Sequence, residues 1–131
     1  MKIKTIVSIA LRLVASLLML QTLYFKFTAQ PESVYIFSEV GIEPWGRIGT
    51  GIAELVAAVL LLAPPTIALG ALFAIGIMTG AIATHVFVLG IEVQGDGGQL
   101  FAYAFIILVA SVILLTMYKQ QLLNLKTRLI K

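Results

Sequence analysis

Five ionisable side chains stand inside or beside long apolar stretches of the sequence: Glu54, His85, Arg12, Lys26 and Arg47. A carboxyl group and an imidazole can give protons to a bound ligand or take them from it. Cations beside them can stabilise negative charge that develops during a reaction. We therefore expect Glu54 and His85 to be the catalytic candidates, with Arg12, Lys26 and Arg47 as ligand-binding residues.

Glu54 is the residue that most needs a partner. It is the eleventh of the 20 residues of the apolar stretch 44–63, where an unpaired charged carboxylate costs at least about 2.5 kcal/mol. Arg47, Thr50 and Gly51 precede it at three- and four-residue steps, so these residues share one helical face. Apart from its ionisable members that face is small, and small residues let a neighbouring helix approach closely in lipid. Glu54 is therefore predicted to point into a helix bundle.

Depth along the helices indicates which groups meet. Four of them are expected in the outward half of the bundle: Glu54, His85, Arg47 and Lys26. Arg12 starts from the opposite side and has to stretch to approach Glu54. Met78 shares a helical face with His85 and is expected to line a ring-binding site.

A purely structural interpretation stays open for every member of this cluster. The charges can neutralise one another and fix the helix register, and Arg12 can extend to the cytoplasmic surface. Lys26 and Arg47 can be interfacial anchors, and His85 can simply donate a hydrogen bond between helices. The two acids of residues 90–99 are expected to belong to a solvated loop.

The elements that must position these residues are membrane-spanning helices. Of the 131 residues, 60% are hydrophobic and 11% are charged, whereas soluble domains are about 25% charged. The mean hydropathy is +1.06. The apolar stretches are continuous rather than alternating, which favours helices over a β-barrel. We predict an all-α bundle of four transmembrane helices, formed by residues 1–131 as a single domain within the lipid bilayer.

The predicted spans cover about residues 6–25, 46–63, 67–89 and 100–118. Pro64-Pro65 ends the second span and leaves a very short turn, so the second and third spans form an antiparallel hairpin. Residues 31–40 carry the start and stop signals of a short interfacial helix in the first extracytoplasmic loop. The first span is not interpreted as a cleaved signal peptide, because Arg12 interrupts it and no small-x-small cleavage site follows.

The distribution of charge and the residue composition limit the orientation of the chain and the classes of partner and cofactor that it can bind. Six of the nine Lys and Arg lie in the two terminal segments, Lys131 among them, so the positive-inside rule places both termini in the cytoplasm. The net charge of +3 therefore needs no nucleic-acid partner. The absence of cysteine and the single histidine exclude thiol redox chemistry, cysteine metal sites and a bis-histidine haem within this chain. The motif Gly76-x-x-x-Gly80-x-x-x-Thr84 predicts a seam for helix packing.

Several short motifs in one order resemble the DoxX/DoxD-like family: Arg12 in the first span, Tyr24-Phe25-Lys26 at its end, Phe37-x-x-x-Gly41 in the loop, Gly51-x-x-Glu54 in the second span and His85 late in the third. The resemblance covers roughly residues 12–85. It implies a four-helix, multi-pass protein of the bacterial or archaeal inner membrane. Some relatives are subunits of a thiosulfate:quinone oxidoreductase and others are linked to respiratory complexes, so the resemblance implies a redox-linked role.

Three functions remain open on the sequence. The first is a redox accessory, a non-autonomous subunit of a quinone-linked oxidoreductase, in which Glu54 and His85 contact a quinone and another membrane or redox subunit supplies electrons. The second is a structural or assembly subunit without chemistry, within a homo-oligomer or a larger complex. The third is a small proton-coupled transporter that uses Glu54. Four-helix drug exporters carry their membrane carboxylate in the first helix, which counts against the third.

Overall fold

The structure, a computed structural model, describes residues 2–130, so Met1 and Lys131 lie outside the described residues. Five α-helices follow one another: α1 (Ile3–Phe27), α2 (Pro31–Val40), α3 (Trp45–Leu62), α4 (Ile67–Thr84) and α5 (Gln99–Ile130). A 3₁₀ turn, Pro64–Thr66, joins α3 to α4, and a π-helical turn, His85–Leu89, prolongs α4. The described residues contain no strand, and the all-α prediction is confirmed.

Four of the described helices are long and apolar enough to cross a membrane: α1, α3, α4 with its flanking turns, and α5. The ten residues of α2 span only about 15 Å, half of the hydrocarbon thickness of a bilayer. The chain is therefore a multi-pass integral membrane protein. The connections 28–44 and 90–98 lie at one end of the bundle, called the loop end below, and the turn Pro64–Thr66 lies at the other.

Helix α5 is longer than predicted. The sequence predicted its end at Tyr118, but the helix continues through the described range, with non-helical angles at Tyr118 alone (φ −117°, ψ 18°). Residues 119–129 contain neither glycine nor proline and are rich in good helix formers. The amide of Gln121 then ties this extension to the α3–α4 turn: it accepts a bond from the Ala68 N–H (2.9 Å) and donates one to the Pro64 carbonyl (2.8 Å).

Small residues allow the four spanning helices to pack closely. Helix α1 packs against α3 and α5, and α4 packs against the same two helices, so the four form a ring. The centre of the bundle is occupied largely by buried alanines: Ala15, Ala57, Ala58, Ala71 and Ala74. Close approach of this kind is how helices associate in lipid, where the hydrophobic effect between them is absent.

The α3–α4 hairpin is tight near its turn and open towards the loop end. A Cβ added at Gly70 would lie 2.7 Å from the Leu61 backbone nitrogen, so the two backbones are in contact there. A Cβ added at Gly76 or Gly80 would meet nothing within 4 Å, and both glycines are exposed. No helix of the described chain packs against the Gly76–Gly80 seam, and packing of this seam against another membrane chain stays a prediction.

Candidate functional site

A cavity of about 720 Å³ occupies the loop-end half of the bundle. All five helices contribute to its wall, and Ile36 and Phe37 of α2 lie on its loop side. Its lining is mainly apolar, but three ionisable side chains singled out in the sequence reach it: Lys26, Glu54 and His85. Met78, buried on α4, also lines it. The volume lies within the range of about 300–1,000 Å³ that is usual for small-molecule sites.

Glu54 and Lys26 form an ion pair across the α1–α3 contact. The Lys26 Nζ lies 2.7 Å from Glu54 Oε1 and donates to the Thr22 hydroxyl at 3.2 Å. That hydroxyl donates to the Met19 carbonyl (2.8 Å) and lies 3.4 Å from Glu54 Oε2. Thr22 was missed by the sequence analysis, although its position four residues before Lys26 on one helical face was a usable signal.

The carboxylate of Glu54 is buried but not saturated. The residue is 3% exposed and is the tenth residue of α3, about 14 Å from its start at 1.5 Å per residue. Although Oε1 is within ion-pair distance of Lys26, it has no aligned hydrogen-bond donor among residues 2–130. A carboxylate oxygen can accept more than one hydrogen bond. Oε1 therefore keeps acceptor capacity at the wall of the cavity.

His85 is held by reciprocal bonds with Gly90 across the π-helical turn. The Gly90 N–H donates to the His85 carbonyl (2.7 Å), and His85 Nδ1 lies 3.0 Å from the Gly90 carbonyl oxygen. A carbonyl only accepts, so Nδ1 carries a proton and Nε2 is the acceptor of the neutral ring. The ring also makes an edge-to-face contact with Phe101 at 5.6 Å between centroids. The imidazole is thus oriented by its backbone before any ligand arrives.

Arg47 does not join the cluster at Glu54, which corrects one expectation. Its Nε lies 2.7 Å from Glu43 Oε1, and its guanidinium also donates to the Lys26 carbonyl. Arg47 is buried but is not among the cavity-lining residues. It ties the end of α1 to the start of α3, and it affects the pair at Glu54 only through the backbone of Lys26. The spacing of four residues between Glu43 and Arg47 was a signal for their ion pair.

Arg12 lies at the opposite end of the bundle, and the expectation that it approaches Glu54 was wrong. Its guanidinium donates to the carbonyls of Leu61 (Nε, 2.7 Å) and Leu62 (2.8 Å). These carbonyls close α3, and Pro64-Pro65 cannot supply the N–H groups that would continue the helical ladder. Arg12 therefore caps α3, and it is absent from the lining of the cavity.

The loop 90–98 is largely exposed, as expected, and the Asp96 carboxylate organises its backbone. The Asp96 carboxylate accepts hydrogen bonds from the backbone N–H groups of Val93 (3.0 Å), Gly98 (2.8 Å) and Leu100 (3.2 Å). Burial alone would raise the pKa of Asp96, but these three donors, together with the nearby His85 imidazole, outweigh it and lower that pKa below its ordinary value. The carboxylate thereby ties the loop to the first turn of α5. Among the described residues no group of His, Asp and Glu is arranged to hold a metal ion.

Comparison with known proteins identifies one family. The model of the DoxX-like family matches residues 10–114, a range that contains the whole lining of the cavity and the cap at Arg12. The extension of α5 beyond its bend lies outside the matched range. No curated protein and no solved structure matches the chain significantly.

Proposed function

Because the chain belongs to the DoxX-like family, we propose that this membrane protein binds a quinone or a similar small organic ligand in the loop-end cavity. In this proposal it acts as a subunit or accessory of a redox-linked membrane system, and a partner chain supplies the electrons. One observation carries the proposal. Glu54 Oε1 is buried at the wall of a cavity of about 720 Å³. No donor among the described residues is aligned for a hydrogen bond with it, although the Lys26 Nζ lies 2.7 Å away.

The chemistry of a quinone suits the groups that line the cavity. Its ring is apolar, as is most of the wall, and its carbonyl oxygens accept hydrogen bonds. The ammonium of Lys26 has three donors. Among the described residues its one aligned hydrogen bond goes to the Thr22 hydroxyl, so the ammonium can also donate to a ligand carbonyl beside Glu54. Reduction of a quinone to a quinol takes up two electrons and two protons. Glu54 and the acceptor nitrogen of His85 can hold or transfer those protons at positions fixed by the fold.

The orientation in the membrane is part of the same proposal. The cations of the terminal segments favour a cytoplasmic location for both termini, in the inner membrane of a bacterial or archaeal cell. The loop end and the cavity then lie in the outward half of the bilayer. In that arrangement, an electron donor docks at the extracytoplasmic surface or laterally within the membrane.

The single tryptophan provides a direct binding assay. Trp45 is the only tryptophan in the sequence and lines the cavity. Titration of the purified protein with a fully substituted benzoquinone, which has no free ring position for side reactions, should quench its fluorescence saturably. Glu54→Gln and His85→Ala should each weaken binding by about tenfold, the cost of about one lost hydrogen bond to a charged or buried group.

A matched control separates specific binding from partition into lipid. Glu39 lies on the exposed face of α2 and does not line the cavity, so Glu39→Gln should bind like the wild type. Equal, non-saturating quenching of all four proteins would refute the quinone site. If the two site variants instead fail to accumulate in the membrane, the structural or assembly function is favoured. Substrate-driven proton movement in vesicles, lost in Glu54→Gln, would identify a transporter.

A further inference from the structure

Three glycines of the spanning helices have no packing reason within the described chain. A Cβ added at Gly49, Gly76 or Gly80 would meet nothing within 4 Å, and none of them has a positive φ. By contrast, a Cβ added at Gly46 or Gly51 would lie within 3 Å of a side-chain atom. Glycine inside a helix is unfavourable because it loses more backbone entropy on folding than alanine. The first three positions therefore need another explanation, and all three line the loop-end cavity.

These glycines mark the place where α3 and α4 separate. On α3, Gly49, Ala53 and Leu60 share one side, since they are spaced by four and seven residues. Leu60 shows that this side faces α4, because its Cβ would lie 2.9 Å from a Cβ added at Gly70. Gly76 and Gly80 lie further along α4, where no atom comes within 4 Å of an added Cβ. The two helices thus touch near their turn and leave a gap at the glycines.

The glycines that border the gap are accessible rather than packed. Gly49, Gly76 and Gly80 are exposed although they lie within membrane-spanning helices. Because the same residues line the cavity that contains Glu54 and Lys26, the gap is continuous with that site. A larger side chain at any of the three positions would narrow it.

We propose that the gap between α3 and α4 at Gly49, Gly76 and Gly80 is a lateral opening through which the apolar tail of an amphiphilic ligand extends into the bilayer. The polar head of that ligand lies at Glu54, Lys26 and His85, so this inference rests on the proposed ligand site. It narrows the ligand class to molecules with a polar ring and a long apolar chain. Such a ligand enters from lipid rather than from water.

The test compares one head group with and without a tail. The two probes are a fully substituted benzoquinone with a decyl tail and tetramethylbenzoquinone, each titrated against the fluorescence of Trp45 in phosphatidylcholine bilayers. Gly80→Leu should weaken binding of the tailed probe by about tenfold and leave binding of the tail-less probe unchanged. Leu72→Phe is the matched control, because Leu72 is exposed on the same helix and is not a lining residue. It should bind both probes like the wild type.

A second measurement does not depend on affinity. The sequence contains no cysteine, so a nitroxide label at Gly80→Cys or Leu72→Cys is unique. Oxygen dissolved in the bilayer should reach both labels, and the tailed probe should reduce its access to the label at Gly80→Cys only. The tail-less probe should change neither label.

Three results would refute the proposed lateral opening, and they differ in whether the proposed ligand site is refuted with it. Saturable binding of both probes that Gly80→Leu does not discriminate would refute the opening and leave the ligand site intact. Efficient cross-linking of two Gly80→Cys chains in the membrane would show that a second copy occupies the gap. Failure of the wild type to bind either probe would refute the ligand site and the opening together.

Discussion

Replacement of Lys26 by methionine should lower the free energy of unfolding by about 3 kcal/mol. The Nζ–Oε1 distance to Glu54 is 2.7 Å, and the two side chains are 15% and 4% exposed. At an effective dielectric constant of about 20, that separation corresponds to an attraction of about 6 kcal/mol. The desolvation of both charges offsets much of it, and removal of one partner from a buried pair typically costs about 3–5 kcal/mol. The lower end applies because Thr22 still lies beside the carboxylate.

The reverse substitution, Glu54→Gln, should cost less, about 1–2 kcal/mol. Lys26 is the penultimate residue of α1, so its flexible chain can carry the ammonium towards the loop-end surface when the carboxylate is removed. Glu54 is near the middle of α3 and has no comparable escape. The double variant Lys26→Met/Glu54→Gln leaves no buried charge at the site, and its stability should return to within about 1 kcal/mol of the wild type.

A double-mutant cycle in mixed micelles, with unfolding followed by circular dichroism, measures this coupling. The expected interaction energy is about 2 kcal/mol or more, which is typical of residues in direct contact. Glu39→Gln combined with Lys26→Met is the control pair and should be additive. If the double variant at Lys26 and Glu54 is destabilised by the sum of its two single variants, within about 0.5 kcal/mol, the ion pair does not stabilise the bundle and the reasoning fails.

Three further predictions concern the surroundings of the cavity. Arg12→Met should lower the midpoint of thermal unfolding, because it removes charged hydrogen bonds that contribute about 1.5–3 kcal/mol to stability. Arg12→Lys should restore only part of that stability, since an ammonium lacks the guanidinium fork. Equal midpoints for the wild type and both variants would contradict the capping role of Arg12. Gly70→Ala should destabilise the protein by about 1–3 kcal/mol through a forced backbone shift, whereas Gly80→Ala should be neutral or stabilising by up to about 1 kcal/mol. Denaturation of both variants beside the wild type measures these differences in the free energy of unfolding. Because the pKa of Asp96 lies below its ordinary value of 3.8, the stability that its carboxylate contributes is complete above that value and is lost as the pH falls through the lowered pKa. The protection of the loop amides, measured relative to their intrinsic exchange rate at each pH, should therefore fall on acidification, and Asp96→Asn should remove that acid dependence.

Some features of the site could be predicted because helical periodicity determines which residues share a face. Glu54 was expected to be buried and to belong to an outward-half cluster with His85, Arg47 and Lys26, and Lys26 is the cation that it meets. The π-helical turn, which produces the Gly90 bond to the imidazole, has no comparable signal in the sequence. The tautomer of His85 was therefore beyond sequence reasoning.

Other features depend on how helices are arranged around one another, which periodicity does not encode. Arg12 and Glu54 lie on faces that both turn into the bundle, but Arg12 donates instead to the carbonyls at the end of α3, which lie closer to it. The prolines at 64 and 65 indicated that carbonyls at the end of α3 lack helical N–H partners. They did not indicate that Arg12 supplies the hydrogen bonds. The seam at Gly76 and Gly80 was interpreted as a packing surface because small residues fit both a tight contact and an open gap, and only the interhelical distance distinguishes the two.

The reciprocal bonds between His85 and Gly90 make the imidazole a spectroscopic reporter of the turn that holds it. Because the sequence has one histidine, nitrogen-15 labelling of histidine gives a single pair of ring resonances that needs no assignment. Rewinding the π turn into a regular helix would separate the partners of both bonds, and the ring would then be free to exchange its tautomers. The shift difference between the two nitrogens therefore measures how often the π turn at His85–Leu89 is intact.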